Sequence, residues 1–470
     1  MLNIFLLAIF SGAFTYLSFR KFEWAVLFAI FLLPSYLIRF DIFGLPMTLL
    51  EMMILIVFFV WVLKNYRQII SNAKSAWRGK RETVRYPFDW EIIFLLIVSL
   101  AAVATAGFRS DAFGIWKAYF LEPILLFFII LNTFRGFAGL RKILWSLSAS
   151  VFFISAFAVY QKITGDFILN PSWADADTRR VVSFFGYPNA VGLFLAPLVM
   201  IFIGWLAQEI KNKTAILNYG FKTNRTIAAA VMILLSLASI LFARSEGALI
   251  GIIAGSLVFL LLHRKLRWAA LILLIAASAA FYSIQPVRDY TINKITLSDF
   301  SGQVRKIQWA ETWEMLQRGR IISGAGLANY QRMVAPYHQT GFFFNRDNDP
   351  EFHKKTVFDA EYRKKYWQPL EIYLYPHNIF LNFWVELGLS GLVLFIWIIG
   401  RFFDIGISLM KNGFSDYGFM TAGLIAAMIV IVVHGLVDVP YFKNDLAAMF
   451  WILIAMMGMI SSDASLNVNV

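Results

Sequence analysis

The sequence contains no cysteine. Disulfides, thiolate metal sites and cysteine nucleophiles are thereby excluded, and the redox compartment is left open. Histidine is scarce as well, five in 470 residues. No two histidines stand at H-x-x-H or H-E-x-x-H spacing, so no metal site is expected. Charged residues make up only 15% of the chain, and despite a formal net charge of +13 the basic ones fall in short loops between apolar stretches. A continuous basic face is missing, which argues against a nucleic-acid partner. The apolar runs do not alternate, which excludes a membrane β-barrel. The glycine-rich GRIISGAGLANY at 319–330 lacks the lysine and hydroxyl pair of a Walker loop, so nucleotide binding has little support.

What is present is apolar surface. Hydrophobic residues account for 59% of the chain and phenylalanine alone for 47 positions. Continuous apolar runs approach the ~20 residues that span a bilayer as helix. An all-α polytopic membrane protein follows, with about 12–13 transmembrane helices. The expected spans are 1–18, 22–38, 46–63, 90–106, 114–132, 143–161, 187–206, 227–243, 246–262, 268–284, 376–400, 416–434 and 445–460. The opening MLNIFLLAIFSGAFTYLSF has no basic leader and is followed by further apolar spans, so it reads as the first helix rather than a signal peptide. Three regions result: an N-terminal bundle (1–284), a large polar loop, partly helical (285–375), and C-terminal helices (376–470).

Charge in the loops orients the spans. Residues 64–85 hold seven Lys/Arg against one Glu, and 211–225, 263–267, Arg20-Lys21 and Arg141-Lys142 are also basic. With thirteen spans all five fall on one side, which the bias makes cytoplasmic. The opposite, external side then receives 162–186, the turn at Arg244, the 285–375 loop and 434–445.

That external set collects the unusual residues. His377 and Asn378 stand where the loop enters a helix, in YPHNIFLNFWVELGLSGLVLFIW (375–397), and His434 and Asp438 flank another helix end. Histidine suits proton transfer near neutral pH, although an interfacial histidine capping a helix has the same placement. Glu386 lies about 13 Å below His377 on a regular helix, too deep to touch it, and an acid in a span usually has a partner or a cavity. Arg179 and Arg180 precede a Pro188-Asn189 helix start, and Arg244 ends an apolar helix. Guanidinium forks suit phosphates; headgroup-bonded interfacial arginine is the other reading. Within the loop, 303–317 has helical spacing, with Ile307, Trp309, Trp313 and Leu316 as an apolar stripe. The stripe fits a helix on the membrane surface or one packed in the loop's own core. Residues 345–367 read as charged, solvated surface, His353 included.

The pieces RVVSFFGYPNAVGLFLAP (180–197), LFARSEGALIGIIAG (241–255), VRKIQWAETWEMLQRGRIISGAGLANY (304–330), PHNIFLNFWVELGLSGLVLF (376–395) and HGLVDVPYFKNDLAAMFWIL (434–453) together resemble the O-antigen ligase and polymerase superfamily. Its members are membrane glycan transferases acting on undecaprenyl-pyrophosphate-linked sugars. Residues before 180 share only the many-helix character. The resemblance implies that His377 is the catalytic base, with Asn378 assisting. It implies Arg180, Arg244 and Arg305 as pyrophosphate ligands, with Glu386, His434 and Asp438 in support. Many members have Ser-Arg where this chain has Arg244-Ser245, and the chain has one more apparent helix before the large loop than the ligases.

The implied partners are an undecaprenyl-pyrophosphate-linked glycan donor, a glycan, lipid or protein acceptor, and membrane lipids. No cofactor is called for. The implied location is the bacterial cytoplasmic (inner) membrane, with the site facing the periplasm or exterior. External aromatics (Trp173, Tyr337, Phe342, Phe343, Phe344, Trp367, Tyr373) either stack on sugars or form an interfacial belt. A transporter or flippase for a lipid-linked or anionic solute is the alternative, but the inverted repeats common in such proteins are not visible.

Overall fold

A computed structural model describes residues 4–42, 45–77, 87–215, 223–411 and 417–468. Parts of the basic segments 64–85 and 211–225, and the first residue of the expected 416–434 span, lie outside the described residues. The chain is helical almost throughout, and each expected span falls on a helix. The N-terminal set is α1 (Ile4–Arg20), α2 (Phe22–Phe31), α3 (Leu49–Trp77), α4 (Asp89–Thr105), α5 (Ser110–Trp116), α6 (Glu122–Thr133) and α7 (Gly136–Thr164). After short α8 (Pro171–Ala174) come α9 (Pro188–Ala215), α10 (Thr223–Ala243), α11 (Glu246–Leu262) and α12 (Arg267–Ser283). The large loop holds α13 (Gln285–Ile295), α14 (Phe300–Gln317), α15 (Tyr330–Val334), α16 (Phe352–Phe358) and α17 (Ala360–Tyr366). The chain closes with α18 (Ile379–Lys411), α19 (Gly418–His434) and α20 (Asn444–Val468). Among the described residues there are also two small antiparallel two-stranded sheets: β1 (Arg39–Ile42) with β2 (Leu45–Thr48), and β3 (Gly341–Phe343) with β4 (Trp367–Pro369).

Among the described residues seven helices are long and apolar enough to cross a membrane, eight if the bent pair 267–317 counts as one span. Seven of the thirteen expected spans pass that test, and α1, α2, α11 and α19 are apolar but only 10–17 residues long. The expected span 22–38 ends early because Pro34 turns the chain into a short 3₁₀ segment at Leu33–Leu37.

The centre of the bundle is α9 and α20, whose span windows are 83% and 89% buried. Close approach there depends on glycine. A Cβ on Gly204 of α9 would lie 2.8 Å from Gly423 Cα of α19. On α11, Gly247, Gly251 and Gly255 stand four residues apart and form one ridge against α19, where a Cβ on Gly255 would lie 2.9 Å from Ala426 O. Small residues let helix backbones meet where lipid supplies no hydrophobic drive. Some ionisable groups inside the bundle are paired. A π-turn at Lys117–Leu121 carries Lys117, whose Nζ is 2.8 Å from Glu51 and 3.8 Å from Glu122. Glu51 also forms a capping box with Thr48 at the start of α3.

The large loop is anchored by its glycine-rich turn. In α18, Gly388 adopts φ 76° and ψ −177°, outside helical space. The chain at 322–328 docks into that break: Leu389 N–H donates to Ile322 O (3.0 Å) and Ala325 N–H to Val385 O (2.7 Å). Ala328 N–H donates to a Glu386 carboxylate oxygen at 2.8 Å. Glu386 thus ties the loop to the bundle. Only glycine occupies this backbone region cheaply, so Gly388→Ala costs on the order of 1–3 kcal/mol in strain, and its Cβ would also lie 3.0 Å from the Ser323 carbonyl carbon. A lowered Tm in a thermal-shift assay is expected; a Tm equal to wild type would contradict the docking described.

Helix α14 forms as its spacing predicts, and only part of the expected stripe is buried. Leu316 is buried, whereas Trp313 is 44% exposed. The inward face carries Val304, Gln308, Glu311, Thr312 and Met315. Polarity does not keep these side chains outside, because each has a partner. Thr312 and Tyr330 hydroxyls are 2.8 Å apart, and Glu311 accepts from Gln339 N–H at 2.7 Å.

Candidate active site

The end of α10 meets the start of α9 through Arg180, which bonds Ala243 O and Asn189 Oδ1, and the end of α19 meets the start of α18 through Ile379 N–H to Gly435 O. The polar centre lies there.

Arg180 is placed by its neighbours in sequence. α7 ends at Gly165 in the left-handed conformation (φ 82°). Arg179 caps it, donating to the Lys162 and Ile163 carbonyls at 2.9 and 3.1 Å. Buried Gln161 accepts from Val182 and Ser183 N–H at 3.0 and 2.7 Å, pinning the following strand-like segment. Arg180 is left to reach across, donating Nε–H to Ala243 O (3.0 Å) and a terminal N–H to Asn189 Oδ1 (3.3 Å). Arg244 follows in the tight turn between α10 and α11 with φ 51°, and its carbonyl lies 3.5 Å from the Arg180 guanidinium. Burial first, then the adjacent Arg244 charge, hold the Arg180 pKa below the ordinary arginine value, with Glu246 opposing.

His377 occupies the last residues before α18 with a left-handed backbone, φ 45°, a strained state for a non-glycine residue. Its Nδ1 is 3.0 Å from Gln308 Oε1 on α14. An amide oxygen only accepts, so Nδ1 donates and Nε2 keeps its lone pair. Tyr373 and Tyr375 flank the imidazole at ring-centroid distances of 5.2 and 5.3 Å. Burial pushes the His377 pKa down from the ordinary histidine value; Asp438 opposes this and Arg305 adds to it. Trp309 Nε1–H donates to Pro376 O at 2.8 Å, fixing α14 against the His377 segment.

One short loop braces the whole centre through its backbone. Gly435 O accepts from Ile379 N–H (2.7 Å), Leu436 O from the Asn378 amide (3.1 Å) and Val437 O from Arg305 Nε–H (2.9 Å). The loop departs from buried His434 (3% exposed) and runs to buried Asp438 (2% exposed). A Cβ on Gly247 would lie 2.7 Å from the His434 ring, so glycine there is what lets α11 cover the imidazole.

The structure therefore brings His377, Arg305, Asp438 and His434 together, with Arg180 and Arg244 beside each other. It does not bring Glu386 to His377, as depth alone had indicated. Asn378 Oδ1 accepts from Leu381 N–H at 3.0 Å, capping α18, while its amide holds Leu436 O. The side chain bonded to His377 is Gln308 and not Asn378. Sequence reading also passed over Tyr187, Tyr375 and Lys443. The Lys443 ammonium lies 4.0 Å above the Tyr187 ring, and the Tyr187 and Tyr375 hydroxyls are 3.3 Å apart. A lysine one residue before an apolar helix was the available signal. Of the candidate sugar-stacking aromatics, Tyr373 alone touches His377; Phe342 and Phe344 pack on Phe300 instead.

Among the described residues Arg180, Arg244 and Arg305 bond to carbonyls and an amide, and no carboxylate neutralises any of them. No group of three or more His, Asp or Glu side chains is placed to hold a metal among those residues. Arg305 near a histidine with a free Nε2 puts an anion-binding fork close to a proton acceptor.

No curated protein matches the chain. A family model described as O-antigen ligase matches residues 231–396, which include Arg244, Arg305, Gln308, His377 and Glu386 and stop before the 434–438 loop. Over residues 231–396 this match supports the resemblance to the O-antigen ligase and polymerase superfamily.

Proposed function

We propose that the protein transfers a glycan from an undecaprenyl-pyrophosphate carrier to an acceptor hydroxyl on the extracytoplasmic side of the bacterial inner membrane. The observation that carries this reading is Arg305, held by a backbone carbonyl and without an ion-pair partner, acting on the charge of His377, with Arg180 and Arg244 adjacent to each other. The acceptor oxygen attacks the anomeric carbon, and the bond from that carbon to the pyrophosphate oxygen breaks. The acceptor proton goes to His377 Nε2, while Gln308 holds the ring. Arg180, Arg244 and Arg305 receive the charge that collects on the departing pyrophosphate; donors aimed at developing charge are the strongest electrostatic aid a site supplies. His434 and Asp438 position the brace, and Asp438 favours the imidazolium that forms. The excess of Lys/Arg in the opposite loops supports the sidedness. No nucleotide sugar is available outside, so a lipid-carried donor is required there.

The test is turnover of labelled donor by purified protein in nanodiscs. Longer glycans on the lipid identify a polymerase, and a change of carrier a ligase. Intact donor that crosses liposome membranes would sink the reading in favour of transport.

The pH dependence is directional. A base acts when neutral, and burial lowers the His377 pKa. The acid limb of kcat/KM is therefore expected below the ordinary histidine value of about 6.5. Asp438 raises that pKa, so Asp438→Asn moves the limb lower still. A limb above ~6.5, or one unmoved by Asp438→Asn, would contradict the assignment.

A further inference from the structure

Tyr375 also lines a cavity of about 520 Å³, within the range of about 300–1,000 Å³ typical of ligand pockets. We propose that it is a subsite for an acidic sugar residue of the glycan chain. The proposal rests on the transferase reading for why a glycan is present, and on the cavity alone for its chemistry.

The walls carry flat rings and unsatisfied polar groups. Tyr119, Tyr187 and Tyr375 line it, offering apolar faces with hydroxyl edges, as sugars require. Asn382 lines it too, is 1% exposed, and its Oδ1 has no hydrogen-bond partner. A ligand without hydroxyl donors would leave that oxygen orphaned in a desolvated place, which is costly. Glu386 faces the cavity with one carboxylate oxygen held by Ala328 N–H, and a carboxylate accepts further hydroxyl protons.

Charge selects the class of sugar. Arg39 and Lys443 both line the cavity, and among the described residues neither has an acidic side chain in ion-pair contact. Lys443 rests on the Tyr187 ring, a contact that leaves its charge in place. Of the acids in the wall, Asp111 is ion-paired with Arg109 and Glu386 is engaged as above. Lys443 feels the negative charge of buried Asp445 and Asp438. With neither cation held in an ion pair among the described residues, however, Arg39 and Lys443 beside hydroxyl acceptors and rings suit a pyranose bearing a carboxylate or a phosphate. Because Tyr375 touches both this cavity and His377, a sugar held here is a near neighbour, along the chain, of the reacting unit. Arg39, Tyr119, Tyr187 and Lys443 fall outside residues 231–396, so this wall is where the chain departs from the matched family segment.

The experiment measures binding of soluble tetrasaccharides to the full chain in nanodiscs by saturation-transfer NMR. Three probes are compared: one containing glucuronic acid, one a sugar phosphate, and one the neutral glucose counterpart. An acidic probe is expected to bind at least tenfold more tightly than the neutral one, with the preference falling as salt rises. Lys443→Gln and Arg39→Gln should each erase most of that preference, whereas His377→Ala should keep it. Neutral and acidic probes binding alike, or both variants retaining the preference while remaining monodisperse, would overturn the proposal. Donor and acceptor arms separate the source. A KM rise confined to lipid-linked donor places the acidic residue on the donor, and one confined to acceptor places it there. Turnover without acidic preference defeats this subsite and leaves the transferase standing; acidic preference without turnover does the reverse.

Discussion

His377→Ala is expected to lower glycan transfer by about 10²–10⁴-fold, the contribution of a positioned general base, with donor affinity close to wild type. The imidazole is aimed by one hydrogen bond, Nδ1 to Gln308 at 3.0 Å, and confined by Tyr373 and Tyr375. Its removal takes away the proton acceptor and leaves the arginines, whose bonds run to other carbonyls. The loss should therefore fall on kcat and not on donor binding. Gln308→Leu should give a smaller loss in kcat, because the base remains and its orientation is released. Steady-state assays of both variants, with donor affinity measured separately, check this. Equal losses in affinity and rate would mean that His377 binds substrate and takes no proton.

Arg305→Ala and Arg180→Ala form the second large prediction. Each removes a guanidinium without a carboxylate partner from the anion site. Loss of one preorganised donor to developing charge costs roughly 3 kcal/mol, about a hundredfold in rate. Lysine should rescue poorly. Arg305 spends its Nε–H on Val437 O and presents the rest of the fork, and an ammonium lacks that division of donors. The double variant should lose less than the sum, since the two contact one charged group. Arg179→Ala is the contrast, because that side chain caps α7, and it should lower stability more than turnover. Pyrophosphate inhibition constants for the four proteins separate the cases; an Arg179 variant that loses affinity like Arg180 would contradict the division of roles.

Much of the bundle was legible because apolar runs report helices directly, and Pro188, the Arg244 turn and the His377 segment are local punctuation. What escaped the sequence is held by contacts between distant residues. Gln308 and His377 are 69 positions apart, and no periodicity announces that an inward-facing glutamine will meet a histidine. The inward polar face of α14 was hidden for the same reason, since buried Glu311 and Thr312 find partners only in the folded loop. Asn378 looked chemical because it adjoins His377, yet helix capping satisfies its oxygen first. The Gly247, Gly251 and Gly255 ridge was readable as small residues at four-residue spacing, but its place over His434 was not. Likewise the Gly388 break becomes intelligible only once the 322–328 turn is seen to fill it.

The most direct measurement is single-turnover release of undecaprenyl pyrophosphate from donor-loaded protein mixed with acceptor at neutral pH. Wild type should release the carrier in step with glycan transfer, while the His377→Ala protein should hold the donor intact. Release by the variant at the wild-type rate, or no release by wild type, would contradict glycan transfer at the His377 centre.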